Sequence, residues 1–214
     1  MFDRNKILYF KRIILRDGVK IYKTFAWRKT KNHFHALTAE IMLQRTGAEQ
    51  VSIVFQEFIR KYKTPNDVIK KCRVNIFANL GLTWRYKQYK NLCKELVKLK
   101  YIPIEKLELL KLPGVGDYIA GAYRSLHLNV RDYIIDSNVL RLYGRYYGFD
   151  TNNETRRKKW IIEFSESLTP KRNYKKYNYA LLDYTRIICK PIPLCNICKL
   201  SKYCSLYRNK KKQK

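Results

Sequence analysis

The sequence is poor in acidic residues and has no long apolar run. Asp and Glu total 17 of 214 residues against 46 Lys and Arg, which gives a formal net charge of +29. Such a charge opposes compaction, so a polyanionic partner is expected, with nucleic acid the first choice and an anionic membrane surface the second. A genome-wide lysine bias would produce the same excess. No apolar stretch reaches the roughly 18 residues that a membrane-spanning helix needs. The N-terminus lacks a signal-peptide pattern, so we expect a cytoplasmic protein, nucleoid-associated in a prokaryote.

Strict alternation of apolar and polar residues, the pattern of half-buried strands, is also missing, and no internal repeat is present. Apolar residues instead recur at helical spacing, as at Val51, Val54, Phe55 and Phe58. They make up 46% of the chain, which is enough to build a core. The sequence therefore predicts an all-α protein of about ten helices. Residues 205–214 are basic without any acid, and we expect them to be disordered.

Glycine is scarce, with only 8 in the chain, and two of them lie in Leu112-Pro113-Gly114-Val115-Gly116. An apolar helix end precedes this stretch, and a second helix is predicted to begin at Asp117. Two glycines allow a tight reversal, and they let backbone N–H groups approach a phosphate at a helix N-terminus. Taken alone, the stretch is equally typical of an ordinary connection between two helices.

Four of the six cysteines cluster near the C-terminus with the spacing C-x5-C-x2-C-x5-C: Cys189, Cys195, Cys198 and Cys204. In a chain without a secretory signal, this clustering favours a metal site over disulfides. Zinc sites usually pair two C-x2-C knuckles and only one is present, so a 4Fe–4S cluster is favoured while zinc stays open. Lys199 and Lys202 lie inside this loop, where they would face phosphate.

Taken together, these motifs resemble the helix-hairpin-helix DNA glycosylases of the endonuclease III superfamily. The resemblance covers residues 27–204 and includes Ile135-Asp136-Ser137-Asn138-Val139-Leu140-Arg141. Within the superfamily, the mismatch-specific thymine/uracil-DNA glycosylases look most similar, with the adenine DNA glycosylases as a sister family. Two stretches carry this likeness: Ala39-Glu40-Ile41-Met42-Leu43-Gln44-Arg45-Thr46 and Leu182-Asp183-Tyr184-Thr185-Arg186-Ile187-Ile188-Cys189. One departure is the first cysteine gap, five residues where these relatives usually have six.

The resemblance implies two helical domains with a DNA cleft between them. Residues 29–132 would form the domain with the hairpin, and residues 1–28 with 133–204 the cluster-bearing domain. The implied partner is double-stranded DNA containing a mismatched or damaged base, bound by a monomer.

Two carboxylates are the candidates for the chemistry. Cleaving an N-glycosidic bond builds positive charge on the sugar, which a fixed carboxylate such as Asp136 would stabilise while orienting water. Asp136 equally suits a helix N-cap, and the two roles are compatible. The resemblance places a catalytic or base-contacting glutamate at Glu40, where apolar neighbours would bury it and favour proton donation. The alternative is a surface glutamate.

Tyr118 stands where bifunctional relatives carry the lysine that forms a Schiff base with the sugar. A phenol cannot form an imine, so a monofunctional glycosylase that leaves an abasic site is expected; the alternative is a packed aromatic. The target base must be flipped out of the duplex. The resemblance assigns the filling of the gap to Gln44, Arg45 and Leu82. A core contact for Leu82 and a surface charge for Arg45 remain the other interpretations.

The favoured function is removal of thymine or uracil opposite guanine. An adenine glycosylase acting opposite guanine or 8-oxoguanine is the alternative, against which stand Tyr118 and the ten residues that follow Cys204. A bifunctional enzyme would need a lysine elsewhere. A catalytically silent DNA-binding module or a zinc-bound transcription factor are the remaining alternatives.

Overall fold

The protein is described here by a computed structural model that covers residues 3–21, 24–152 and 154–212. Within these ranges every regular element is helical, which confirms the all-α class, and no helix is long and apolar enough to cross a membrane. The α-helices of the described residues are α1 (Arg4–Arg16), α2 (Ala26–Lys29), α3 (His33–Met42), α4 (Ala48–Lys61), α5 (Pro65–Lys71), α6 (Arg85–Leu99), α7 (Lys106–Leu109), α8 (Asp117–Ala122), α9 (Ser137–Tyr147), α10 (Lys159–Leu168), α11 (Tyr174–Ile187) and α12 (Ser205–Lys212).

The chain divides into two compact units. The hairpin unit is Thr24–Val130, and the terminal unit combines Met1–Lys23 with Arg131–Lys214. The first boundary lies before Phe25 rather than after residue 28, because the rings of Phe25 and Trp27 stack 4.5 Å apart and both are buried in the core of the hairpin unit. Both boundaries thus differ by a few residues from those expected from the sequence.

The hairpin unit is built around α3, from which nine consecutive residues, Phe34–Met42, are buried. The predicted stripe on α4 supplies Val51, Phe55 and Phe58 to the same core. Helix α5 begins with a capping box, in which Thr64 accepts from the backbone N–H of Asp67 and Asp67 accepts from the backbone N–H of Thr64.

In the terminal unit, α1 packs against α11, and its buried Phe10 contacts the aromatic face of α9. The ring of Phe10 lies 5.0 to 5.8 Å from the rings of Tyr143, Tyr146 and Tyr147. Asp3 caps α1 by accepting from the backbone N–H of Asn5 at 2.8 Å. Gly148 ends α9 as its C-cap, with φ +87° in the left-handed region that favours glycine.

The expectation of a disordered tail over residues 205–214 is wrong for residues 205–212, which form α12. This helix packs against α9, and its first residue is fixed by a hydrogen bond of 2.9 Å from Lys6 Nζ to Ser205 Oγ. Leu206 and Tyr207 are half-buried, so they supply the apolar contact that the basic composition of the segment concealed. Residues 213–214 lie outside the described residues.

The aromatic cluster around Phe10 predicts an unequal response to two truncations on α1. Phe10→Ala removes a fully buried ring and should lower the free energy of unfolding by about 3–5 kcal/mol. Leu8 is 55% exposed, so Leu8→Ala should change it by less than about 0.5 kcal/mol. Urea denaturation followed by circular dichroism measures both, and equal effects would show that α1 does not pack as described.

Candidate active site and metal centre

The glycine stretch of the hairpin unit forms a turn between α7 and α8, as predicted. Gly114 has φ +80°, a left-handed conformation that favours glycine, and Gly116 is the N-cap of α8. A Cβ added at Gly116 would meet nothing within 4 Å, so the backbone there is open to an approaching group. An ion pair of 3.0 Å between Lys106 and Asp117 links the two helices. The turn therefore presents accessible backbone at the start of a helix, where an anion is favoured.

Tyr118 is the second residue of α8 and follows this turn directly. Its ring is half-buried and packs against the core of the hairpin unit. Tyr118 therefore packs against the core and is also partly accessible beside the turn, so the two interpretations of this residue are compatible.

Glu40 is 1% exposed on α3, which excludes the surface-glutamate interpretation. Its Oε1 lies 2.8 Å from Nε2 of His127, whose side chain is 3% exposed. The second oxygen, Oε2, is buried and has no hydrogen-bond partner among the described residues. His127 ends a π-helical turn, Tyr123–His127, that continues α8.

Asp136 is the N-cap of α9 in the terminal unit, which confirms the cap that the sequence suggested. Its Oδ1 accepts from the backbone N–H of Val139 at 2.7 Å, and its Oδ2 accepts from the side-chain amide of Asn138 at 2.9 Å. Asn138 in turn accepts from Arg141 at 2.8 Å. The carboxylate is half-buried with both oxygens held, and the helix N-terminus favours its negative charge.

The residues expected to fill the gap in the duplex occupy two turns of the hairpin unit. Gln44 is half-buried, and Arg45 is exposed with φ +61°. Leu82 is only 5% exposed and lies in the hydrophobic core, so the structure places it as a core contact and not as a surface wedge. The exposed apolar side chain of its turn is Trp84, with 59% of its surface accessible.

Arg85 follows Trp84 and is 8% exposed, with its guanidinium 4.7 Å from the Trp84 ring. Its Nε has no hydrogen-bond partner among the described residues. Burial, and secondly the charge of Arg45, lower the pKa of Arg85. The positive charge of Arg45 thus disfavours the charge of Arg85, an arrangement that a bound anion would relieve.

The four clustered cysteines line a single cavity, together with apolar side chains such as Leu142, Leu194 and Leu200. The hydroxyl of Tyr184 lies 3.2 Å from Cys198 Sγ, and Arg145 donates to Cys189 Sγ at 3.7 Å. In the described part of the chain, no three or more His, Cys, Asp or Glu side chains are grouped as a single metal ion would require. Lys199 and Lys202 are exposed.

The structure thus assigns the predicted residues to two units. Glu40, Tyr118 and the turns with Gly116, Arg45 and Leu82 belong to the hairpin unit, and Asp136 and the cysteines belong to the terminal unit. Sequence analysis missed three residues: His127, Trp84 and Arg85. None of the three stands in a sequence pattern that pointed to a site.

No protein-family model matches the chain. It is 33% identical over 193 residues to a thymine/uracil-DNA glycosylase of Methanothermobacter thermautotrophicus, spanning 86% of this chain and 87% of the relative. It is 30% identical over 222 residues to a thymine-DNA glycosylase of Aeropyrum pernix, spanning 97% and 98%. An adenine DNA glycosylase of Buchnera aphidicola subsp. Baizongia pistaciae is 34% identical, but the chain spans only 55% of that protein.

Among solved structures, a thermostable thymine-DNA glycosylase matches with a TM-score of 0.88 and 31% identity, covering 96% of this chain and 98% of that one. A trapped endonuclease III–DNA covalent intermediate matches with a TM-score of 0.84 at 22% identity, which shows the fold alone. The fold and these relatives define the class: the protein is a DNA glycosylase of base excision repair with the endonuclease III fold. Within that class, the chain belongs to the family of the thymine/uracil-DNA glycosylases, as the sequence motifs had indicated.

Proposed function

We propose that the protein removes thymine or uracil opposite guanine from double-stranded DNA, acting as a monomer at the nucleoid and leaving an abasic site. The observation that carries this proposal is the likeness, over nearly the whole length of both chains, to relatives named for these two bases. The chain is also similar, at 34% identity, to an adenine DNA glycosylase. Excision of adenine opposite guanine or 8-oxoguanine is therefore the second candidate.

Asp136 is suited to the sugar side of the reaction. As the N-glycosidic bond breaks, positive charge develops on the sugar, and a preorganised negative group lowers the energy of that state. The hydrogen bonds from Val139 and Asn138 fix the carboxylate before DNA arrives. Asp136 then takes a proton from the water that attacks the sugar.

The proposed DNA contacts lie on the two turns and the hairpin of the Thr24–Val130 unit. Backbone N–H groups at Gly114 and Gly116 would hold a phosphate, for which the open space at Gly116 provides access. Gln44 and Arg45 would enter the gap left by the flipped base. Trp84 replaces Leu82 in this proposal, because its ring is the exposed one and can stack on a base.

The cysteine loop fits a 4Fe–4S cluster better than a single ion. Cys189, Cys195, Cys198 and Cys204 surround one cavity, and a cluster takes one thiolate at each iron. When bound, the cluster would supply structural cross-linking of the loop. The exposed Lys199 and Lys202 would then be held where they meet DNA phosphates.

The test of the function uses the two roles of Asp136. Asparagine also serves as an N-cap, so Asp136→Asn should fold like the wild type while losing the charge. We expect the wild type to release thymine from T:G and uracil from U:G duplexes, measured as strand breaks after alkali. Asp136→Asn should bind these duplexes unchanged and release at least about 100-fold more slowly.

Asp136→Ala is the matched control for the cap, since it removes charge and acceptor together and should cost about 1 kcal/mol of stability. Wild-type release confined to an A:8-oxoguanine duplex would favour the adenine candidate. Full activity of Asp136→Asn would remove this residue from the chemistry.

Because Tyr118 has no amine, we expect the wild type not to cleave the DNA strand. A lysine at this position should allow the protein to form a covalent bond with the sugar. Tyr118→Lys places an amine where bifunctional glycosylases attack the sugar, so borohydride should trap a protein–DNA adduct on denaturing gels. Tyr118→Gln, which is polar but has no amine, is the control and should give no adduct. The absence of a trapped adduct with Tyr118→Lys would show that residue 118 does not face the sugar.

The cysteine loop predicts a coloured protein. Anaerobically purified wild type should contain iron and acid-labile sulfide in equal amounts and absorb broadly in the visible range. Cys198→Ser should lose iron and colour, whereas Cys93→Ser, at a buried cysteine outside the loop, should retain both. Zinc in place of iron in the wild type would contradict the cluster.

A further inference from the structure

The function proposed above assigns no role to the contact between Glu40 and His127. We infer that His127 is a positioning residue: it fixes Glu40 Oε1 and leaves Oε2 to pass a proton to the departing base, directly or through one water. This inference rests on the proposed base excision and adds to it the group that serves the leaving base.

Geometry and burial support the pairing. The two side chains are 87 residues apart in sequence, yet Nε2 and Oε1 lie 2.8 Å apart with 3% and 1% of the side chains exposed. An ionised carboxylate can only accept, so His127 carries its proton on Nε2 when Glu40 is charged. A buried charge requires such a partner, and His127 is the ionisable side chain that the structure places on Glu40.

The backbone that carries His127 departs from a regular helix. The N–H of Leu128 donates to the carbonyl of Tyr123 at 3.2 Å, five residues back, so the turn contains one residue more than an α-helix. An extra residue turns the following side chains by about 100° relative to α-helical register. Ser125 supports the turn by donating to the carbonyl of Gly121 at 2.8 Å. Such π-turns are rare and concentrate at functional sites.

The second carboxyl oxygen of Glu40 lacks a partner within the described protein and therefore indicates a bound water or ligand. Oε2 of Glu40 is buried and has no hydrogen-bond partner among the described residues. Buried polar atoms are nearly always satisfied, so this oxygen calls for a water or a ligand group. With Oε1 occupied by His127, only Oε2 remains for that partner.

The proposed step balances with the role of Asp136. When the N-glycosidic bond breaks, its electron pair goes to the base, which takes the proton from Glu40 Oε2. Water adds to the sugar and gives its proton to Asp136, so the products are the abasic sugar hydroxyl and the neutral base. The hydrogen bond from His127 strengthens as Glu40 becomes charged, and it therefore stabilises the transition state more than the ground state.

The test compares two amides of different reach. In His127→Gln the amide nitrogen can occupy the place of Nε2, whereas in His127→Asn it stops one bond short. Single-turnover release of thymine from a T:G duplex should be about 100-fold slower in His127→Asn and close to wild type in His127→Gln. The Kd for the same DNA should be unchanged in both. In a Glu40→Gln background, His127→Asn should cause no further loss.

The outcomes distinguish a failure of the role inferred for His127 from a failure of the proposed glycosylase function. A wild type that releases no base from any duplex overturns the proposed function, and this role with it. An active wild type whose rate His127→Asn leaves unchanged, or additive losses in the double variant, overturns the role alone. If His127→Asn does not fold, proton NMR decides. A slowly exchanging imidazole N–H that disappears in Glu40→Ala, which lacks an acceptor, is expected, and its persistence there would overturn the pairing.

Discussion

The start of α9 is the constraint on which the proposed role of Asp136 depends. A carboxylate is useful beside a developing positive charge only if its orientation is set beforehand, and Asp136 is held by a backbone N–H and by Asn138. The helix that provides this N-terminus is itself fixed by its buried aromatic face against Phe10 of α1. The position of one acidic oxygen therefore depends on ring packing several turns away. The oxygen that accepts from Val139 N–H caps the helix, so the contact that stabilises α9 also sets the orientation of the carboxylate.

The amino-acid sequence specified these local features well. The turn at Gly114 and Gly116, the cap at Asp136 and the end of α9 at Gly148 all depend on residues adjacent in the chain, and their chemistry is legible from spacing. Features that depend on contacts between residues distant in the chain could not be predicted from the sequence. His127 gave no signal because its partner Glu40 lies 87 residues earlier and because the π-turn that aims it has no sequence signature. The sequence left two interpretations open for Leu82, and the structure supports the core contact, because its burial depends on residues distant in the chain.

The net charge could be read from the composition, but the pairing of the individual charged side chains could not. A net charge of +29 indicated a polyanionic partner but not where that partner would bind. The basic side chains of the structure differ in how they are paired. Lys106 forms an ion pair with Asp117 and Arg141 donates to Asn138, whereas Arg85 feels the charge of Arg45 and its buried Nε has no partner among the described residues. Repulsion between neighbouring guanidinium groups persists in a folded protein only if an anion relieves it or the surrounding core enforces it, and Trp84 on the same turn remains exposed.

The two carboxylates proposed for the reaction, Asp136 and Glu40, have different surroundings in their respective units. Asp136 is half-buried and receives two hydrogen bonds at a helix N-terminus, conditions that favour a stable negative charge suited to the sugar. Glu40 is sealed in the core of the other unit with a single hydrogen-bond partner on one oxygen. A buried carboxylate requires a hydrogen-bond donor, and the imidazole of His127 lies 2.8 Å from Glu40 Oε1. The two roles proposed for these carboxylates rest on their different surroundings, because aspartate and glutamate have nearly the same intrinsic acidity.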